Sequence, residues 1–293
     1  MQKIKKDTVL GYCFILPAVI YMLVFIGYPI VYNWLISLQD VTAKTLGSSV
    51  RDFIGLDNFK TILGDATFRA SLVHTFVYTI GCLVFQFLFG FIFALFFAKK
   101  FKLAKPIRGF IVISWMLPVT VTALVFKFMY ADNGIINTIL MSLHLIKEPI
   151  GWLLDGKMAM VGLIIANSWV GIPFNMLLLT TGLNEIPAEI YEAASIDGAN
   201  KLQQLFRLTI PLLKQTILSA LVLGFVLTFK VFDLVYVMTG GGPVDSTEVL
   251  STYSYKLSFQ MFHFGEGAAV ANVLFICLLV VALVYLHVSS KEE

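Results

Sequence analysis

The sequence predicts an all-α integral membrane protein with six transmembrane helices, and three observations predict it. Of 293 residues, 58% are hydrophobic and 13% charged, with a mean hydropathy of +0.86. Soluble domains run to about 45–50% apolar and about 25% charged residues. Charge-free stretches long enough to cross a bilayer recur along the chain. The positive charges gather in alternate connecting segments. A water-soluble globule, a disordered chain, a coiled coil and a collagen-like chain are all excluded by this composition.

A helix needs about 20 mostly apolar residues to cross a hydrocarbon core about 30 Å thick. Residues 8–39 form a charge-free run of 32, residues 70–98 one of 29, and residues 109–126 one of 18 that continues past Lys127. Residues 158–184 form a run of 27 and residues 267–290 one of 24. A further apolar stretch, Leu212 to Met238, has 15 uncharged residues before Lys230 and spans only with Lys230 and Asp233 in the membrane. The expected spans are 9–38, 71–98, 107–131, 158–183, 212–238 and 267–289, in one domain covering 1–293. The outer loops 40–69, 131–157 and 239–266 are each too short for an independent catalytic domain.

Six spans put both termini on one side. That side carries Lys3, Lys5, Lys6, Lys99, Lys100, Lys102, Lys105, Arg108, Lys201, Arg207, Lys214 and Lys291, which is 12 positive charges. The other carries Lys44, Arg51, Lys60, Arg69, Lys147, Lys157 and Lys256, which is 7. The positive-inside rule makes both termini cytoplasmic, in a multi-pass protein of the cell (inner or plasma) membrane surrounded by lipid. The first span follows Lys3-Ile4-Lys5-Lys6 but is far longer than a signal-peptide core, so it reads as an uncleaved anchor.

Little in the chain points to catalysis. A net charge of +3 is too small to argue for nucleic acid. Cys13, Cys82 and Cys277 sit in apolar runs, and His74, His144, His263 and His287 are scattered, so no metal site and no nucleophilic triad is expected. Gly151 to Lys157 has phosphate-loop spacing, but Met158 stands where a Ser or Thr would meet magnesium, and no strand precedes it. The chain is not expected to be an enzyme or to bind a cofactor itself.

The segment 184–211 is different. Asn184 and Pro187 suit a helix start, Gly198 suits the left-handed residue that ends one, and Pro211 suits the end of a second. The residues between predict a helix over about 187–197, a turn, and another helix. Glu192, Ala193, Ala194 and Gly198, followed after nine intervening residues by Leu208, Thr209, Ile210 and Pro211, resemble the EAA loop of ABC-importer permeases. That family's pattern is Glu-Ala-Ala, three residues, Gly, nine residues, then Ile-x-Leu-Pro. Leu16-Pro17-Ala18, Tyr28-Pro29, Gly55 to Phe59, Phe232-Asp233 and Thr239 to Pro243 are similar to stretches of the sugar-importing, maltose-permease-like first-permease branch. The chain departs from the enterobacterial maltose subunit in lacking its extra N-terminal spans and large periplasmic insert.

The resemblance implies the type I ABC importer fold with a cytoplasmic coupling helix. It implies a heterodimer with a second homologous permease, two ATPase subunits that hold ATP and magnesium, and an extracytoplasmic solute-binding protein delivering a saccharide. Glu192, Ala193, Ala194, Asp197 and Gly198 would dock the ATPase. Trp115, Asn167, Gly171, Phe174, Gly224, Leu227, Thr228 and Val231 match positions of the substrate cavity. For Asn167 and Trp115, joining helices is the alternative. Lys230 and Asp233, three apart on one expected helix face, could pair structurally or serve a function. In the second case they would be the relay of an ion-driven secondary transporter, the rival reading. Lys127 is expected to snorkel to the outer surface.

Overall fold

The computed structural model describes residues 2–48, 51–99 and 101–289, with side chains from residue 11 onward. Lys100 and Lys291, counted above among the cytoplasmic charges, lie outside the described residues. In chain order the helices are α1 (Gln2–Met22), α2 (Tyr28–Ser37), α3 (Asp57–Gly64), α4 (Ala66–Phe97), α5 (Ala104–Met116), α6 (Val119–Met129), α7 (Ile135–Ser142) and α8 (Gly156–Glu185). They continue with α9 (Ala188–Ile196), α10 (Lys201–Gln204), α11 (Ile210–Leu212), α12 (Lys214–Phe229), α13 (Asp233–Met238), α14 (Leu250–Tyr255) and α15 (Phe264–Ser289). Among the described residues there is no strand, only isolated antiparallel bridges at Gln39–Phe53 and Thr42–His263.

Among the described residues four stretches are long and apolar enough to cross a membrane: Gly11–Ser37, Ala66–Phe97, Gly156–Glu185 and Phe264–Ser289. Two bent pairs bring the number to six if each counts as one span. These are Ala104–Met116 with Val119–Met129, bent by 96°, and Lys201–Leu212 with Lys214–Phe229, bent by 67°. The first bend has a local cause. Pro118 forces Leu117 out of helical geometry, to ψ 140°, so the run read as 107–131 is two helices.

The chain divides into two compact units. One comprises Met1–Asp65 with Ser254–Val273. Within it a π-turn, Leu23–Gly27, joins α1 to α2, and none of the most apolar stretch of Gly11–Ser37 is buried against the protein. Amides and a hydroxyl pin this unit. Asn33 Nδ2 donates to Asn272 Oδ1 at 2.7 Å, and Asn272 Nδ2 donates to Ser37 Oγ at 2.9 Å. Asn58 Nδ2 donates to the carbonyls of Ser37 and Gln39 at 2.9 and 3.0 Å.

The other unit comprises Ala66–Tyr253 with Leu274–Glu293. Its spine is α4 packed lengthwise on α8. Close approach depends on small residues: a Cβ at Gly90 would meet Asn175 Cβ at 2.5 Å. A buried cluster that includes Tyr78, Cys82, Phe126, Leu163 and Leu234 fills the space to α6 and α13. Two features escaped the sequence reading. Outer loops 40–69 and 131–157 contain α3 and α7, and Asn137 on α7 is a hub. It donates to the carbonyls of Ala131 and Ile150, and accepts from Ile150 N and Trp152 Nε1, all within 3.0–3.2 Å. The phosphate-loop lookalike ends in a helix cap: Asp155 Oδ1 accepts from the N–H groups of Lys157 and Met158 at 3.0 and 2.9 Å.

Candidate functional site

A cavity of about 210 Å³ opens among four elements of the second unit. α4 contributes Gln86, and the α5–α6 junction contributes Trp115 and Val119. α8 contributes Asn167, Val170, Gly171 and Phe174, and α12 contributes Gly224, Leu227 and Thr228. On α8 the spacing 167, 170, 171, 174 is one helical face. On α12 the spacing 224, 227, 228 is another. The rings of Trp115 and Phe174 lie 5.8 Å apart with a 38° tilt, forming one wall. Trp115 lies in the last turn of α5, just before Pro118 breaks the helix. Asn167 also joins α4 to α8: its carbonyl accepts from Gln86 Nε2 at 3.2 Å. No lining side chain carries a formal charge.

Seven of the eight residues matched to a cavity from the sequence therefore line one space. Val231 does not line it. α12 stops at Phe229, so Val231 leaves the helical register and packs against the buried cluster. Its carbonyl accepts from Ser251 Oγ. The same break corrects the expectation for Lys230 and Asp233. Lys230 caps α12, Phe232 is non-helical at φ −129° and ψ −60°, and Asp233 starts α13, so the two do not share a helix face. Both side chains are exposed. Lys127 donates to the carbonyl of Val237 near the end of α13, at 3.3 Å, a cation on the last turn of a helix. The sequence reading missed Gln86, Val119 and Val170. A lone glutamine in the apolar run 70–98 was the available signal for the first.

The segment after α8 folds as a helix, a turn and a second helical stretch. Asn184 is not a cap but lies inside α8, because only Pro187 interrupts the run by driving Ile186 to ψ 120°. Pro187 then occupies the N-cap position of α9 without a side-chain cap. Glu192, Ala193 and Ala194 lie on α9, with Asp197 as its C-cap and Gly198 at φ +80°. A residue with a Cβ is strained there. The Ala199 N–H closes the turn on Ala194 O at 2.9 Å. Asn200 and Gln203 then form a reciprocal capping box at 2.9 and 2.8 Å.

Side chains tie the two arms together. The Tyr191 and Thr209 hydroxyls meet at 3.1 Å, and Gln204 Nε2 donates to Ser195 Oγ at 2.9 Å. Pro211 stands one residue before the end of the second arm, at Leu212. A π-turn over Leu205–Thr209 precedes it, and this widened turn accommodates the missing N–H and the ring. Glu192, Ala193, Asp197 and Gly198 are exposed, as are the apolar Ile196 (87%), Leu202 (67%) and Phe206 (65%). A cleft of about 1000 Å³ lies beside this segment, lined among others by Phe96, Lys99, Tyr191, Lys201 and Thr209.

Among the described residues no group of three His, Cys, Asp or Glu side chains is placed to hold a metal.

Comparison with known proteins fits this architecture. The chain is 33% identical, over 97% of its length and 94% of the relative's, to the trehalose/maltose transport system permease protein of Thermococcus litoralis. It is 33% identical to a probable ABC transporter permease protein of Bacillus subtilis, covering 99% of this chain and all of that one. It is 32% identical to the sulfoquinovosyl glycerol transport system permease protein of Agrobacterium fabrum, over 98% of this chain and 92% of that one. A chain of a bacterial alginate ABC transporter, solved with an alginate pentasaccharide-bound periplasmic protein, superimposes with a TM-score of 0.83. The match covers 99% of this chain and 96% of that one at 22% identity, which shows the fold. Residues 86–291 match the family model described as the binding-protein-dependent transport system inner membrane component, and the chain belongs to that family of membrane-spanning ABC permeases, with their type I importer fold.

Proposed function

We propose that this chain is one of two homologous permease subunits of an ABC importer for a saccharide. The observation that carries the reading is the lining of the cavity. Two aromatic rings offer flat apolar faces, and Gln86, Asn167 and Thr228 offer neutral hydrogen-bonding groups beside them. Sugar rings present that same combination. Relatives named for trehalose, maltose and diacetylchitobiose transport support the substrate class. At about 210 Å³ the cavity is smaller than the ~300–1,000 Å³ of ordinary ligand sites, which fits one half of a path completed by a second permease.

In this reading the chain crosses the inner or plasma membrane six times, near the spans expected from sequence, with both termini cytoplasmic. An extracytoplasmic binding protein delivers the sugar. Two ATPase subunits hold ATP and magnesium and perform the hydrolysis. One of them docks on Glu192, Ala193, Ala194, Asp197 and Gly198. The uncovered Ile196, Leu202 and Phe206 suit such a partner, because an exposed apolar cluster marks an interaction surface. Coupling then has a physical form: closure of the ATPase dimer moves the docked segment, and the attached helices shift the cavity between inward- and outward-facing states.

The rival, an ion-driven transporter using Lys230 and Asp233, lacks a buried charge pair to serve as a relay. Reconstitution separates the two. The complete complex should accumulate sugar in proteoliposomes only with ATP and should be insensitive to a protonophore. Uphill uptake by the purified chain alone, abolished by a protonophore, would overturn the importer reading.

A further inference from the structure

We propose that Gln86 is a specificity-determining contact for the transported sugar and that Gly171 is its positioning residue. The proposal rests on the saccharide-importer reading and adds to it a contact from α4, a helix with no residue among those matched to the cavity from sequence.

Gln86 is 3% exposed, in the middle of the 32-residue helix α4, and it lines the cavity. A primary amide offers two N–H donors and an oxygen with two lone pairs. Among the described residues the protein uses one of these, the Nε2 bond to Asn167 O at 3.2 Å. Because the acceptor is a carbonyl, that bond also fixes which end of the amide is nitrogen. Oε1 is left without a protein donor beside the cavity. Because Gln86 lines the cavity, that oxygen is an acceptor open to water or to a ligand hydroxyl. Tethering α4 to α8 needs only the N–H. The open oxygen is the part of the side chain that tethering does not explain.

Gly171 explains how the amide keeps its place. A Cβ built there would overlap the Gln86 carboxamide carbon, nitrogen and oxygen together. The glycine thus provides the seat for the amide, and any side chain at 171 would push it out of line with the sugar. Gly171 thereby acts through Gln86. The wall also carries no charge, so the amide reads a hydroxyl on an uncharged part of the sugar.

The test uses the complete complex in proteoliposomes, with loaded binding protein at saturation. The probes are glucose, maltose, trehalose, cellobiose and N,N′-diacetylchitobiose. Gln86→Leu and Gln86→Met remove the amide while keeping bulk. Each should lower uptake of the best wild-type sugar about five- to tenfold, the worth of one neutral hydrogen bond. The ratio between sugars should change as well, which a merely structural defect, lowering all sugars alike, would not produce. Gly171→Ala should cause a similar loss. Combined with Gln86→Ala, which vacates the seat, it should add less than twofold to the loss from Gln86→Ala alone.

Unchanged sugar ratios in the Leu and Met variants overturn the contact. Losses that multiply in the double variant overturn the positioning role. Failure of both the Leu and the Met variant to assemble with the complex assigns Gln86 to structure and overturns the proposal. Uphill uptake by the purified chain alone, abolished by a protonophore, overturns the importer reading itself, and with it this proposal.

Discussion

The α4–α8 contact and the 184–212 segment solve opposite problems. Along α4–α8 the chain is its own partner. Gly90 lies against Asn175, Gly171 against the Gln86 amide, and Gly81 against Ile164, so backbones approach and side chains interlock. In a bilayer this is how helices hold together, because lipid is as apolar as a helix face and only close packing and polar contacts distinguish them. The 184–212 segment is equally well shaped but left uncovered. Its capping box, its Schellman-like turn at Gly198 and its Tyr191–Thr209 bond set its form. Ile196, Leu202 and Phe206 nonetheless remain exposed. One surface is finished inside the chain; the other leaves apolar side chains uncovered.

Substitutions sharpen that contrast. The largest effect on stability belongs to the finished surface. Gly90→Ala places a Cβ into Asn175 and should destabilise the fold by about 1–3 kcal/mol, the usual cost of overpacking. Thermal unfolding of the purified permease in detergent checks it, and an unchanged midpoint would mean that the helices are not in such close contact. Next comes Gly198→Val. Holding φ near +80° with a branched side chain should cost about 1–2 kcal/mol locally. The effect should appear as faster amide hydrogen exchange confined to α9 and α10, with reduced co-purification of the ATPase. Smallest in stability is Ile196→Ser, at an exposed site, where a change within about 0.5 kcal/mol is expected. Its yield of co-purified ATPase should nevertheless fall severalfold. Wild-type ATPase yield with Ile196→Ser would remove this face from the docking surface.

The same contrast explains what was legible. Helices in the apolar runs, the left-handed Gly198 and the placement of Glu192 to Ala194 on a short helix follow from local chemistry: hydropathy, Gly and Pro geometry, and spacing. Gln86 and the loss of Val231 from the cavity do not. In a globular helix a polar stripe marks the outer face. In α4 both faces meet apolar surroundings, so hydropathy carries no record of which way a residue points. The π-turn over Leu205–Thr209 just before Pro211 was not legible either, since it sits among contacts such as Tyr191 with Thr209, 18 residues apart in the chain.

By itself the sequence determined that this chain lives in a membrane, roughly where its apolar stretches lie, and which exposed segment carries the family's pattern, because each is written in composition or in short-range geometry. Only the tertiary structure decided which side chains share the cavity, that the helix carrying Gly224 and Thr228 stops before Val231, and that Gly171 seats an amide from another helix. These depend on the rotation and approach of helices distant in sequence, which packing sets and local residue chemistry does not.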